Sequence, residues 1–539
     1  MSLALPQALQ DASLYPGRPG VQLRETHASW VFLAGDHAYK VKKPVRLAFL
    51  DYSTLAKRLH ACREEVRVNH ELAPSIYLGV RAIVRAPGGG LRFAAEEDAL
   101  DAIEYAVWMR RFDEAHTMQG AIDARRLTRA QVRDTAELLA AFHRRAPLIA
   151  AEAPRSRAAS AAVDAARAAA GSPAQVLELW RSNVAEIERF AHPADWRPRA
   201  MREFGEAFVR AHARELEQRA HDGHVRDGHG DLRCEHVLLE ESVRIIDRIE
   251  FDVTRRQLDV AGDLAFLAMD LEANRRRWAA RELVAAYRHA GGSPGSERLR
   301  SFYAAYWALV RAKVALIAAH ARHGGERRRE RERAARLWRL AERLCWRARQ
   351  PLVLVVCGAA ASGKSTLAAE LARRSGLPVV SSDVVRKRLA GLTPAERAGA
   401  ERYTAQQTRA TYEQLGRDAL AALDRSGGVI VDASCHSRRQ RATLFHRLDG
   451  GAATFLVAHC QVPLATALAR ASARLQSPER ISDATPHIVE VQFRRFEPLD
   501  ELPSASVCAL DAEQSVREQA RRLAAAVDRR IGAMHTAVA

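Results

Sequence analysis

One run of eight residues, Gly358-Ala-Ala-Ala-Ser-Gly-Lys-Ser365, restricts the fold more than any other stretch of this chain. The aliphatic residues 352–356 precede it and a helical segment over 366–373 follows, so strand, loop and helix come in the order that a phosphate-cradling loop requires. Its glycines free the backbone N–H groups to wrap phosphate oxygens, and the helix N-terminus meets their negative charge. On this reading Gly358, Ala359, Ala360, Ala361, Ser362, Gly363, Lys364, Ser365 and Thr366 hold a nucleotide, with Lys364 reaching the terminal phosphates and Ser365 ligating Mg²⁺.

A second strand over 378–381 ends in Ser382-Asp383, with the basic Arg386, Lys387 and Arg388 close behind. Ligands of open α/β sheets bind beyond the carboxyl ends of the strands, which puts Asp383 and Arg386 near the phosphate loop. A third strand, 428–431, ends in Asp432, placed to hold a metal's water shell. Either carboxylate could instead cap the helix after it. A fourth strand spans 454–459. Arg470 and Arg474 follow at i,i+4, with Arg480 nearby, as a basic lid that neutralises transferring phosphate. This arrangement resembles the small P-loop kinases of the predicted-kinase and zeta-toxin-like kind, over about residues 351–530. The resemblance implies phosphoryl transfer to a small acceptor, with Asp383 as base.

Upstream, short strands at 30–34 and 37–41 flank the turn Gly35-Asp36, and a helix is expected over 53–72 before Pro74. Further strands are expected at 76–84 and 103–111. The sequence turns helical after Thr128, and the Ala-rich 146–174 reads as loosely packed helices or a surface excursion. A strand-like interlude at 225–251 contains His229-Gly230-Asp231-Leu232 and, sixteen residues after Asp231, Asp247 at the end of an apolar run.

This pair of motifs resembles the catalytic core of aminoglycoside phosphotransferase-like and choline-kinase-like enzymes, which share the protein-kinase fold, over about residues 20–320. The resemblance implies Asp231 beside the acceptor hydroxyl, Asp247 on the metal, and Lys40 paired with Glu65 to hold the nucleotide phosphates. Lys42 shares the strand face of Lys40, and Glu64 adjoins Glu65. Residues 105–109 would contact adenine. His229 reads as an orienter bonded to backbone, and Asp259 and Asp263 as groups pinning the catalytic loop through Arg255 or Arg256.

The chain departs from that pattern where a metal-binding Asn is expected, five residues after Asp231: it has His236. Neutral imidazole is a poorer partner for hard Mg²⁺ than an amide oxygen. Either Glu235 or Glu250 substitutes, or the domain binds nucleotide without efficient transfer. A glycine-rich phosphate loop is absent from the first hairpin.

At 539 residues two or three domains are expected. A charged stretch over 324–349, with Leu337, Leu340, Leu344 and Cys345 on one face and a Glu332–Arg336 pair, reads as a solvated helix joining two domains, 1–345 and 346–539. The net charge of +18 favours polyanionic partners, but Arg is spread along the whole length without a basic block, so nucleic acid is the lesser partner beside a small phosphoryl acceptor. Seven scattered cysteines, with no C-x-x-C pair, argue against disulfides or a zinc cluster. With no leader and no run of about 18 apolar residues, no membrane partner and a cytoplasmic location are expected.

The whole resembles bacterial proteins that fuse an aminoglycoside phosphotransferase-like domain to a P-loop kinase domain. The expected architecture is α/β with two domains: a bilobal, protein-kinase-like α+β domain, then a P-loop domain whose parallel sheet is flanked by helices. The expected cofactors are ATP and Mg²⁺.

Overall fold

A computed structural model describes residues 5–47, 50–87, 89–97, 101–148, 170–191, 196–393, 396, 404–448, 453–475 and 485–537. Its contacts divide the chain into two compact units, Met1–Gln175 with Arg214–Gly295, and Val176–Ala213 with Ser296–Ala539. The division therefore differs from the expected boundary at 345–346. The helix Gly324–Ala348 buries Trp338, Leu340, Leu344 and Cys345 and packs on the helix Glu297–His320, so it is part of the second unit's core and not a solvated linker. Glu332 pairs with Arg328 instead of Arg336.

The first unit opens with an antiparallel sheet in the order Val21–Glu25, Ser29–Ala34, His37–Lys42, Glu104–Arg110, Tyr77–Arg85, Leu91–Ala95. Its two edge strands are not among the expected ones, although Val21 and Leu23, and Leu91 and Phe93, alternate with exposed residues and pack partly buried against the core. The helix Leu55–His70 starts at Thr54, whose hydroxyl accepts from Lys57 N–H, and buries Cys62 and Glu65. A helical lobe follows, whose core joins Leu139, Phe142, Leu264, Leu267, Leu283 and Tyr287. The short strands Val237–Leu239 and Val243–Ile245 pair as a hairpin and carry the Asp231 and Asp247 loops. Most of the Ala-rich stretch 146–174 lies outside the described residues.

The second unit is built on five parallel strands in the order Val379–Ser381, Gly428–Asp432, Leu352–Cys357, Thr454–Gln461, Val507–Asp511. Leu352–Cys357 and Gly428–Asp432 are buried along their whole length, as expected of central strands covered on both faces. Its added helices pack through aromatic rings: Phe302 stacks on Phe208 at 4.3 Å and on Trp180 at 4.8 Å between centroids. Arg349 meets Asp528 through two bonds of 2.7 and 2.8 Å while lying over Phe204. The helix Glu297–His320 contains an 18-residue window long and apolar enough to cross a membrane, although Arg311 and Lys313 interrupt its apolar run. More than half of that window is buried within the protein.

Candidate active sites

In the second unit the phosphate loop leaves the buried strand Leu352–Cys357 and enters the helix Lys364–Ser375. Gly358 has φ +138°, and a Cβ there would stand 2.6 Å from the Cys460 carbonyl oxygen, so only glycine fits. Gly363 takes the left-handed conformation at the helix N-cap, which turns the following amides toward the loop's concave side. Lys364 Nζ donates to the loop's own Ala359 carbonyl at 2.8 Å. Ser365 Oγ donates to Asp432 Oδ2 at 2.7 Å. Burial holds the Asp432 carboxyl above its ordinary value against the pull of Lys364 and Ser365. Hydroxyl and carboxylate oxygens are the hard donors that suit Mg²⁺, so the pair Ser365 and Asp432 fits that ion.

Asp383 lies in the first turn of the helix Ser382–Leu389, yet it is not the cap: Ser381 occupies that position without a side-chain bond. Asp383, Arg386, Lys364, Ser365 and Asp432 all line one cavity of about 630 Å³. Arg470 donates to the Ala512 carbonyl at 2.9 Å, and a Cβ on Gly363 would meet its guanidinium at 3.8 Å, so it sits beside the loop. The side chain of Arg474, and Arg480 altogether, lie outside the described residues. Sequence reasoning missed Gln492, whose Oε1 accepts from the Ala360 N–H at 2.8 Å, and His436, Arg439 and Arg495 on the cavity wall. They come from segments without a motif. Burial keeps the His436 imidazole below its ordinary value, Arg386, Arg441 and Arg495 adding to this against Glu497.

In the first unit Lys40 Nζ lies 2.7 Å from Glu65 Oε1 and 3.2 Å from Asp247 Oδ1. Burial disfavours its charge, but Asp247, Glu65 and Glu250 more than offset that and raise its pKa well above the usual value. Lys42 donates to Glu65 at 2.5 Å and also to Glu250, which accepts from Tyr52 as well. Glu64 instead faces Arg67 and takes no part. Residues 105–109 form the middle of the strand Glu104–Arg110 and are largely buried, with Tyr105, Val107 and Met109 in the lobe core.

Asp231, His236 and Asp247 bring one ligand atom each within 4.8 Å of one another. His236 Nδ1 donates to the Asp231 carbonyl at 2.8 Å, which makes Nε2 the acceptor nitrogen; it lies 3.5 Å from Asp247 Oδ2. Lys40 above all holds the Asp247 carboxyl far below the usual range, while its backbone takes the left-handed φ of +62°. A donor set of two carboxylates and an imidazole fits a divalent cation, with nitrogen drawing it toward softer ions than Mg²⁺. Glu250 pairs with Lys42 and accepts from Tyr52, and Glu235 pairs with Arg233. Arg233 grips Asp231 at 2.8 to 3.1 Å and donates to His236 Nε2 at 2.9 Å.

The loop bearing Asp231 is held by Asp263, which accepts from the N–H groups of His229 and Gly230 at 2.6 and 3.1 Å and from His143 at 3.1 Å. This corrects the expectation of a link through Arg255 or Arg256: Asp259 pairs with Arg219, and Arg256 pairs with Asp227. His229 donates to the Ile246 carbonyl at 2.9 Å and is fully buried, as an orienter should be. Burial drives its pKa down to about 4.

Residues 353–499 match the family model described as AAA domain. Over 439 residues the chain is 31% identical to the uncharacterized protein Rv2004c of Mycobacterium tuberculosis (strain ATCC 25618 / H37Rv), spanning 80% of this chain and 82% of that protein. This chain belongs to the Rv2004c family. The uncharacterized Mb2027c of Mycobacterium bovis matches to the same extent. Among solved structures, a choline/ethanolamine kinase family protein from Mesorhizobium loti is similar at 15% identity and a TM-score of 0.35, covering 64% of this chain and 99% of that one. A gluconokinase from Sinorhizobium meliloti 1021 is similar at 19% identity and a TM-score of 0.26, covering 35% of this chain and 98% of its own. The Rv2004c match covers more of this chain than either structure or the AAA model.

Proposed function

We propose that this chain is an ATP- and Mg²⁺-dependent phosphotransferase that carries two nucleotide-binding sites and acts on a small hydroxylated molecule. The observation that carries the reading is the Ser365–Asp432 bond beneath a phosphate loop that opens, with Asp383, into one cavity of ligand size. In this reading the loop amides and Lys364 bind the β- and γ-phosphates of ATP. Asp383 takes the proton of the acceptor hydroxyl as its oxygen bonds to the γ-phosphorus. The bond from that phosphorus to the β–γ bridging oxygen breaks, and ADP leaves with the electron pair. Mg²⁺, when bound at Ser365 and Asp432, neutralises charge on the phosphate oxygens. Arg470, beside Gly363, adds a fixed positive charge, and Arg474 is proposed as its partner on the same helix.

For the first unit we propose ATP contacts through Lys40, oriented by Glu65, a metal at Asp247 and His236, and Asp231 as base. A specific observation favours a second reading, in which this unit binds nucleotide as a regulator: Arg233 lies across both Asp231 and His236, where a cation and an acceptor would compete with it.

Measuring ATP consumption with pooled metabolites for wild type, Lys364→Ala and Asp231→Asn tests both. Loss of turnover in Lys364→Ala alone leaves the first unit as regulator. Loss in neither variant overturns the phosphotransferase reading.

A further inference from the structure

The cavity facing the phosphate loop is lined by five cationic side chains, Lys364, Arg386, Arg409, Arg439 and Arg495, against two carboxylates, Asp383 and Asp432. Lys364 and Asp432 belong to the nucleotide end, and Asp383 faces the acceptor hydroxyl in the reading above. The arginines come from elsewhere: Arg439 from the helix Arg438–Leu448, and Arg495 from the C-cap of the helix Pro486–Arg494.

Their neighbours are satisfied. Arg438 pairs with Asp500, Arg441 with Glu501, and Arg494 with Glu490. The guanidinium groups of Arg439 and Arg495 have no hydrogen-bond or ion-pair partner among the described residues, although both line the cavity. His436 Nδ1, on the same wall, is buried and equally without a hydrogen-bond partner among the described residues. Of the arginines on this cavity Arg409 pairs with Glu413, whereas Arg439 and Arg495, between neighbours that are paired, leave their positive charge facing it. Guanidinium forks match carboxylate and phosphate oxygens, whereas neutral polyols recruit amides and carboxylates.

We propose that the acceptor carries an anionic group, carboxylate or phosphate, beside the hydroxyl that is phosphorylated, and that Arg439 and Arg495 bind that group. This rests on the phosphotransferase reading of the same cavity. The loop amides and Lys364 serve the ATP phosphates, so the two arginines define the acceptor end.

The test uses the full chain filled with Mg²⁺ and the non-hydrolysable ATP analogue AMPPNP, and two probe pairs that differ in charge: glycerate against glycerol, and glucose 6-phosphate against glucose. Binding is read by calorimetry. At least one charged probe should bind while its neutral twin does not, the carboxylate and phosphate arms telling the two groups apart. Arg439→Gln and Arg495→Gln should each weaken that probe at least tenfold and leave AMPPNP affinity within twofold, which also shows that the variants are folded. Equal binding of a neutral twin, no binding of either charged probe, or indifference to both substitutions overturns the proposal. AMPPNP binding that keeps its full stoichiometry in Lys364→Ala, with no site lost, would instead overturn the phosphate-loop reading beneath it.

Discussion

Ser365 Oγ and Asp432 Oδ2 stand 2.7 Å apart, although 67 positions separate them in the chain. The bond joins the first turn of the loop helix to the end of the neighbouring parallel strand, and it fixes where a metal bound to both would lie.

Replacing Asp432 by Asn should therefore lower ATP turnover at the phosphate loop at least a hundredfold, with AMPPNP affinity in the absence of Mg²⁺ changed far less. An isotherm with and without the metal checks this. Lys364→Ala should lose the metal-free affinity as well, because its charge acts on phosphate directly.

Glu65 is buried between Lys40 and Lys42, so Glu65→Gln leaves two buried ammonium groups undercompensated. A loss of about 3 kcal/mol is expected for breaking such a pair. Glu64→Gln, at an exposed i,i+3 pair with Arg67, should change stability by less than about 0.5 kcal/mol. Denaturant midpoints of the two variants make the comparison.

Acid should unfold the first unit partly through His229. Its folded pKa is about 4, against 6.5 for a free imidazole, because burial disfavours the cation. Below pH 6.5 the unfolded chain therefore takes up a proton that the folded chain refuses, and stability falls by at most about 1.4 kcal/mol per pH unit until about pH 4. Thermal midpoints measured from pH 7 to pH 4.5 should drop less steeply in His229→Gln, even if its starting stability is lower.

In a Lys364→Ala background, residual ATP turnover that depends on Asp231 should be greater with Mn²⁺ than with Mg²⁺, since His236 contributes nitrogen to the cluster. His236→Asn should reverse that preference. Activities measured with each metal alone decide the matter.

The parts of both sites that sit on motifs were legible in the sequence because local order implies local geometry there. Gly358 to Ser365 can only be a strand-loop-helix turn, and Lys40 and Lys42 must share a strand face. The choice of Glu65 over the adjacent Glu64 came from the resemblance alone, since helical spacing leaves both near the sheet, and burial separates them. Arg439, Arg495 and Gln492 could not be found that way either. They reach the cavity from loops and helix ends whose position depends on tertiary packing. The anchoring of the Asp231 loop by Asp263 was misassigned because a carboxylate bonding backbone N–H groups leaves no partner residue type to look for.

The helices at 176–213 pack with residues 296–539 although the intervening 214–295 belong to the other unit. On the ribosome, Trp180 and Phe208 emerge more than ninety residues ahead of Phe302, the ring on which both stack, and Glu203 waits far longer for Arg521. Synthesis from the N-terminus thus leaves an apolar helical pair without its partners while residues 214–295 of the first unit are made, and a fragment ended at residue 345 keeps it without Arg521. Neither half of this protein can be cut out at a single point in the chain.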